Sequence, residues 1–352
     1  MESIDVMKAS KLFISLVAAL ITATATANEL IPVHRPLIEE YTGTWCGWCV
    51  RGIAGMELLS STFGDDFIGV AYHNGDAMEI MYTTQFPNDI SGFPSAYIDR
   101  TYEVDPLYGF GNTSGGIVSD MQQIANMEAI AGIDLTAQWT SADRTDIKVD
   151  LSSYFTVDDN SGKYAIEVML IADDLYGTGS SWNQANYYSG YSAYAKDKYL
   201  GSWVKKPGTV TGWHFNDVLV GTSRPISGSL PSNIVAYENY SFKYNFTLSK
   251  LPKPSLIQNK DFLHVIAIIV DTATNKVINA NKCYIDDYKA IIIGDVDNDG
   301  NVNISDVTTL IDYLLNSEST TINIDNSDVD PDGEINIADV TALIDLLLTS
   351  TQ

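Results

Sequence analysis

Cysteine is scarce in this chain of 352 residues, only three in all, so a small scaffold framed by disulfides is excluded. Positive charge is scarce as well. Lys and Arg number 20 against 45 Asp and Glu, and the net charge of −25 repels phosphate backbones, which speaks against a nucleic-acid partner. No apolar run reaches the ~18 residues that a membrane-spanning helix requires, so no transmembrane span is expected. What is plentiful is core-forming material. Hydrophobic residues make up 45%, and the length leaves room for two or three folded domains.

The charge is unevenly placed. From Ala290 to Gln352 there is no Lys or Arg but 13 Asp and Glu, about half of the net charge on under a fifth of the chain. Carboxylates gathered in this way repel one another unless a cation sits among them. At the other end, Lys8 and Lys11 precede an apolar run from Leu12 to Ile21, and Ala25-Thr26-Ala27 supplies a signal-peptidase site. A signal peptide over 1–27 and an exported mature chain from Asn28 are therefore expected. No Cys lies at the cleavage site, which speaks against a lipid anchor. The medium, the outer cell surface and the periplasm stay open as destinations.

Two of the three cysteines form a C-x-x-C pair, Cys46-Gly47-Trp48-Cys49. Apolar Val33, Leu37 and Ile38 upstream read as a strand, and Ile53, Met56, Leu59 and Phe63 downstream recur at helical spacing. The pair thus sits where a strand passes into a helix, and the helix N-terminus favours a thiolate on the first cysteine. Cys46 is expected to be exposed for attack and Cys49 to resolve. Zinc, the rival use of C-x-x-C, needs four ligands, and neither a second C-x-x-C nor an H-x₃₋₅-H follows. A disulfide that no longer exchanges is the remaining alternative. His73 reads as a surface-turn residue, and Cys283 as a buried small hydrophobe.

The segment Thr44-Trp45-Cys46-Gly47-Trp48-Cys49 resembles the active-site segment of thioredoxin-like proteins. The likeness extends to a strand over Phe67 to Tyr72 and to Gly92-Phe93-Pro94-Ser95, which is similar to the family's cis-proline turn. The resemblance implies an α/β thioredoxin-like domain over 28–130 and a redox disulfide between Cys46 and Cys49. It also implies a Pro94 that receives substrate backbone and a Glu40 that matches the family's buried proton-transferring carboxylate. The alternative for Glu40 is an exposed strand-end acid like its neighbour Glu39.

From Gly132 to Ile285 the period changes to two, as in Ile147, Val149 and Leu151 or Tyr164, Ile166, Val168 and Leu170. This predicts an all-β sandwich over 131–290. An aromatic-rich insertion over 176–213 is expected to pack its rings over that sandwich. With Trp213-His214-Phe215-Asn216-Asp217-Val218-Leu219, the order of domains resembles the twenty-eight-kilodalton outer-membrane protein family over Ile31 to Ile285.

In the tail, Asp295, Asp297, Asp299, Gly300, Asn303 and Asp306 recur 33 residues later as Asp328, Asp330, Asp332, Gly333, Asn336 and Asp339. Oxygen ligands at alternate positions, a glycine for the sharp turn and a backbone carbonyl at the seventh position, Asn301 or Glu334, are what calcium requires. An apolar stripe follows each loop: Val307, Leu310, Ile311, Leu314 and Leu315, then Val340, Leu343, Ile344, Leu347 and Leu348. Asp in place of Glu at position twelve, with no entering helix, resembles a dockerin module over 291–352. The resemblance implies a small α domain with two calcium ions and a cohesin partner. The family's recognition pairs fall on Ile304-Ser305 and Ile337-Ala338, where cellulosomal members carry more polar residues.

The expectation is a multidomain, exported thiol–disulfide oxidoreductase that acts on disulfide-bearing clients or a redox partner, with calcium and no organic cofactor. The alternative is a non-catalytic surface or adhesion protein with an inert C-x-x-C disulfide.

Overall fold

Strand β1 (Leu37–Thr42) is buried at all six residues, including two consecutive glutamates, because the chain covers both of its faces. The computed structural model describes residues 31–111, 115–224, 230–289, 291–316 and 321–350; the expected signal peptide lies outside them. Helix α1 (Val50–Phe63) follows β1 through the C-x-x-C turn, and β2 (Ile68–His73) returns parallel to β1. On the other side of β1, β3 (Ser95–Ile98) pairs antiparallel, and β4 (Tyr102–Val104) follows it through a tight hairpin. Asp99 and Arg100 take φ of 52° and 56° there, as a twist-matched two-residue turn demands. The strand order is β2-β1-β3-β4. Helix α2 (Gly116–Ala125) packs beside α1, with Met56 and Leu59 sharing a core with Ile38, Ile98, Ile117 and Met121.

The expected period-two segments follow. In β5 (Ala131–Trp139) and β6 (Asp146–Phe155) buried residues alternate with accessible ones, as half-covered strands should. Every residue of β7 (Tyr164–Ala172) is buried. Next come the two-residue β8 (Gln184–Ala185), a single helical turn α3 (Gly201–Val204) and the short β9 (Thr209–Val210). The last strands are β10 (Val218–Thr222), β11 (Tyr240–Thr247), the wholly buried β12 (Leu263–Asp271) and β13 (Lys276–Asp286).

Inward residues of β5 and β6, such as Leu135 and Val149, share one core with Val168 and Val265 of β7 and β12, which is face-to-face sheet packing. Strand β13 runs along β12 and joins β5 only at Ile285 and Asp286. At the other edge, β10 touches β2 through the pair Val218 and Ala71, and Ala71 N donates to Asp217 O at 2.7 Å. Eleven strands are thereby continuous, and the strands of 37–104 share a sheet with those of 131–286.

In the tail, α4 (Ile304–Leu315), the one-turn α5 (Ile324–Ser327) and α6 (Ile337–Ser350) enclose Val296, Val307, Leu310, Val340 and Leu343. The two stripes meet as their spacing predicts, except at the far ends. Leu315 and Leu348 remain 81% and 65% exposed, because the buried seam is only about two turns long.

Candidate functional site

Cys46 and Cys49 form a disulfide with Cα atoms 5.3 Å apart, immediately before α1. Cys49 is the helix N-cap residue, and its carbonyl receives the amides of Gly52 and Ile53. The peptide bond between Phe93 and Pro94 is cis, and the Phe93 ring packs edge-on against Trp45 at 5.4 Å. Asp76 braces the approach to the dithiol. Its carboxylate accepts from Thr44 N and Met78 N, and lies 2.6 Å from His73 Nδ1. His73 is thus a buried partner of Asp76 rather than a surface-turn residue.

The expectation of an exposed Cys46 is not met: Cys46 keeps only 5% of its surface, and Cys49 none. The cause is the aromatic insertion, which packs on the dithiol loop rather than only over the sandwich. Ala185 N donates to Thr44 O at 2.7 Å, Tyr187 N to Gly47 O at 3.1 Å, and Gln184 Nε2 to Cys46 O at 3.0 Å. These contacts lay a strap across the loop. The Tyr187 ring rests on Gly47 so closely that a Cβ there would fall 2.3 Å from it. Trp48 is wedged edge-on against Tyr187 and Tyr188, each at 5.4 Å.

Beneath α1 the sheet carries the other half of the site. Glu40 is 2% exposed, its Oε1 has no hydrogen-bond partner, and burial pushes its carboxyl up to about 8, opposed only in part by Thr42. Gly52, one turn along from Cys49, makes this placement feasible, since a Cβ at that position would fall 1.6 Å from Glu40 Oε1. A glycine inside a helix costs roughly 1 kcal/mol relative to alanine, and a close approach of this kind is what compensates for it. Glu39 is not an exposed acid. It points to the opposite face, where Arg100 grips it at 3.0 Å and reaches Glu167 at 2.8 Å, all three side chains fully buried. Cys283 keeps partial exposure, and burial pushes its thiol up to about 12, so it is a poor nucleophile.

Glu40 lines a cavity of about 520 Å³ between α1 and the sheet. Asp173, Asp217 and His264 line it too. Asp217 takes φ of 59° at the entry to β10, and its carboxyl is pushed well above the usual range by burial, then by the charges of Asp173 and Glu40. Sequence reasoning had Asp217 only within the Trp213 to Leu219 segment and gave it no role, because nothing local shows which groups it meets. Arg100 was missed for the same reason, whereas Gly52 could have been found as a glycine placed inside a helical pattern.

The tail loops gather Asp295, Asp297 and Asp299 in one cluster, and Asp328, Asp330 and Asp332 in another. Asp306 accepts from Asp297 N and Asn303 N, and Asp339 from Val329 N and Asn336 N, so both twelfth-position carboxylates are fixed before any ion arrives. Gly300 and Gly333 take φ of 88° and 87°, the sharp turns that only glycine adopts without strain. The Asn301 and Asp299 side chains bond each other, leaving the Asn301 carbonyl for position seven. Asp330 Oδ1 is buried without a partner, and burial together with Asp332, Asp339 and Asp328 raises its carboxyl. An all-oxygen set with an orphaned, mutually repelling carboxyl fits a hard cation. Ile304 and Ile337 stand beside the loops at 70% and 69% exposure.

Residues 293–348 match the dockerin type I domain. Dockerin domains typically bind calcium, and these Asp clusters lie where such ligands are needed. No curated protein matches the chain. Among solved structures, HBP35 of Porphyromonas gingivalis is similar at 13% identity and a TM-score of 0.49, over 72% of this chain and 76% of that one. A domain of the outer membrane lipoprotein Omp28 from Porphyromonas gingivalis is similar at 16% identity and a TM-score of 0.24, over 46% of this chain and 92% of that one. Among the described residues no helix is long and apolar enough to cross a membrane.

Proposed function

We propose that this chain is an exported thiol–disulfide oxidoreductase of thioredoxin-like architecture, held by its calcium-binding tail to a cohesin-bearing partner. The observation that carries the redox reading is the buried Glu40 carboxyl, whose Oε1 has no hydrogen-bond partner and is set against Gly52, one turn along the helix that Cys49 begins. A lone buried carboxyl costs stability, and such groups gather where protons must move. The strand order β2-β1-β3-β4, with a helix after β1 and a cis-proline before β3, supports the same architecture.

In the reduced protein, the Cys46 thiolate attacks one sulfur of a client disulfide, and the other client sulfur leaves as a thiolate. Cys49 then passes its thiol proton to the Glu40 carboxylate and attacks Cys46 Sγ. The intramolecular disulfide forms, and the second client sulfur departs with the electron pair. The client gains the two electrons that the cysteine pair loses. In reverse, the neutral Glu40 carboxyl supplies the proton to the departing Cys49 thiolate. Pro94 receives client backbone beside the dithiol. A Cys49→Ser variant should accumulate mixed disulfides through Cys46; a reduced protein whose Cys46 resists alkylation at neutral pH would overturn the reading.

A second reading, a non-catalytic surface or adhesion protein, is favoured by the 5% exposure of Cys46 beneath the strap. Glycan and cohesin binding by a Cys46→Ser/Cys49→Ser double variant separates the two. For the tail, two calcium ions are held by Asp295, Asp297, Asp299, the Asn301 carbonyl and Asp306, and by Asp328, Asp330, Asp332, the Glu334 carbonyl and Asp339. Calcium there supplies the charge that lets these carboxylates lie together. Exposed Ile304 and Ile337 make the docking face more apolar than that of cellulosomal dockerins. The expected signal peptide and the dockerin-like tail support an exported protein in the medium or on the outer cell surface, with the periplasm as the other destination.

A further inference from the structure

Glu40 raises a question of access, since the strap closes the dithiol face above it. Glu40 lines the cavity beneath α1, whose walls carry Asp217 from the turn before β10, the Asp173 and His264 pair, and Lys282 from β13. Exposed Ser61, Asp65 and Tyr284 line the same cavity near the end of α1, well away from the disulfide at its start.

We propose that Asp217 is a proton-relay residue: it exchanges a proton with Glu40 inside the cavity and hands it on past Asp173 and His264 to solvent at the far end of α1. The inference rests on the oxidoreductase reading and assigns the route that reading needs. Three observations carry it. Glu40 lies opposite Ala71 in the sheet, and Ala71 opposite Val218, so Asp217 enters beside that row, and Glu40, Ala71 and Asp217 all line the one cavity. Glu40 Oε1 is buried without a partner, and so is His264 Nδ1 as regards a well-aligned hydrogen bond, although Asp173 Oδ2 lies 3.2 Å away. Asp217 is held in the left-handed region, where its backbone amide donates to Asp173 Oδ1 at 2.7 Å, so the Asp173 carboxyl is anchored to the Asp217 backbone.

The remaining titratable groups lining the cavity are Glu57 of α1, His73 of β2, His214 three residues before Asp217, Lys282 of β13, and the exposed Asp65 and Tyr284; Lys282 favours negative charge on Asp217 and Asp173. His264 holds Asp173 below the ordinary carboxylate range even though burial acts to raise it, whereas Asp217 stays well above that range. A proton-poor acceptor next to a proton-rich carboxyl is what a relay requires. When Cys49 closes the disulfide, its proton passes to Glu40, the Glu40 and Asp217 pair releases one proton to the cavity, and no group changes oxidation state except the sulfurs.

The test uses the full chain, reduced and then oxidised by glutathione disulfide, following release of the second glutathione between pH 5 and 9. Asp217→Asn is the variant of choice, because asparagine tolerates the left-handed backbone. It should slow closure at pH 7 about tenfold and shift the pH at which the rate breaks. Asp173→Asn, which removes a neighbouring charge but leaves Asp217 acidic, should move that break to lower pH. Infrared absorption of protonated carboxyls at pH 7 gives a readout independent of exchange: it should shrink in Asp217→Asn and in Glu40→Gln, and vanish in the double variant. An Asp217→Asn protein that matches the wild type in both profile and absorption overturns the relay alone. A wild-type chain that never closes the disulfide overturns the relay together with the reading it rests on.

Discussion

The body and the tail of this protein handle carboxyl groups in opposite ways. In the body, Glu39 and Glu40 are consecutive on β1 and both buried; one is matched by Arg100 and the other is pushed toward its neutral form by burial. In the tail, where Lys and Arg are absent, aspartates are gathered at the surface and oriented by backbone N–H groups around places for a cation. The body therefore disposes of charge internally. The tail leaves it for a ligand to balance, so the tail should respond to calcium, and the body to pH through Glu40 and Asp217.

The largest effect that would sharpen this contrast is Arg100→Ala. It leaves Glu39 in the core without its cation and Glu167 with Arg224 alone, and loss of one partner from a buried ion-pair network costs about 3–5 kcal/mol. Chemical denaturation measures it, and a change under 1 kcal/mol would mean that the network contributes little. Next is calcium removal. Chelation should abolish the tail's resistance to proteolysis while leaving the body intact, and calcium at 100-fold over its Kd should stabilise the tail by about 2.7 kcal/mol. If the body melts at the same chelator concentration, the contrast fails.

Gly52→Ala follows in size. The added methyl meets Glu40 Oε1, so a loss of about 1–3 kcal/mol is expected despite the better helix propensity of alanine. Paired with Glu40→Ala, which removes the obstacle, the same change should cost less than it does alone. The last effect is a pH dependence, in Glu40→Gln. The glutamate carboxyl has its ordinary midpoint near 4.5 when unfolded and near 8 when folded, so the stability it contributes is complete below the first value and lost as pH rises through the second. Gln loses nothing over that window. The variant should therefore gain steadily on the wild type as pH rises from 5 to 8, and equal melting shifts at both pH values would show that Glu40 is not buried neutral.

What was legible in advance follows the same division. The tail's ligands lie within twelve residues of one another in each loop, so spacing alone pointed to both loops and to the meeting of Val307 and Leu310 with Val340 and Leu343. The dithiol at a strand-to-helix junction was legible for the same reason, whereas the cis bond before Pro94 was expected from the resemblance to thioredoxin-like proteins. Glu39 was misread as exposed because its partner comes from a hairpin 61 residues away. Cys46 was misread because its cover comes from Gln184 and Tyr187, and no local pattern records that an aromatic insertion will hydrogen-bond to the backbone of a distant turn.

Sequence by itself determined the groups whose partners are a few bonds away along the chain: the C-x-x-C turn, the twin aspartate loops and the alternation that makes strands half-buried. Tertiary structure alone decided which carboxyl meets Arg100, which is left neutral against Gly52, and that Asp217 from β10 shares its cavity. The physical reason is that protonation and access depend on burial and on groups brought close through space, and those distances exist only once the eleven strands have joined.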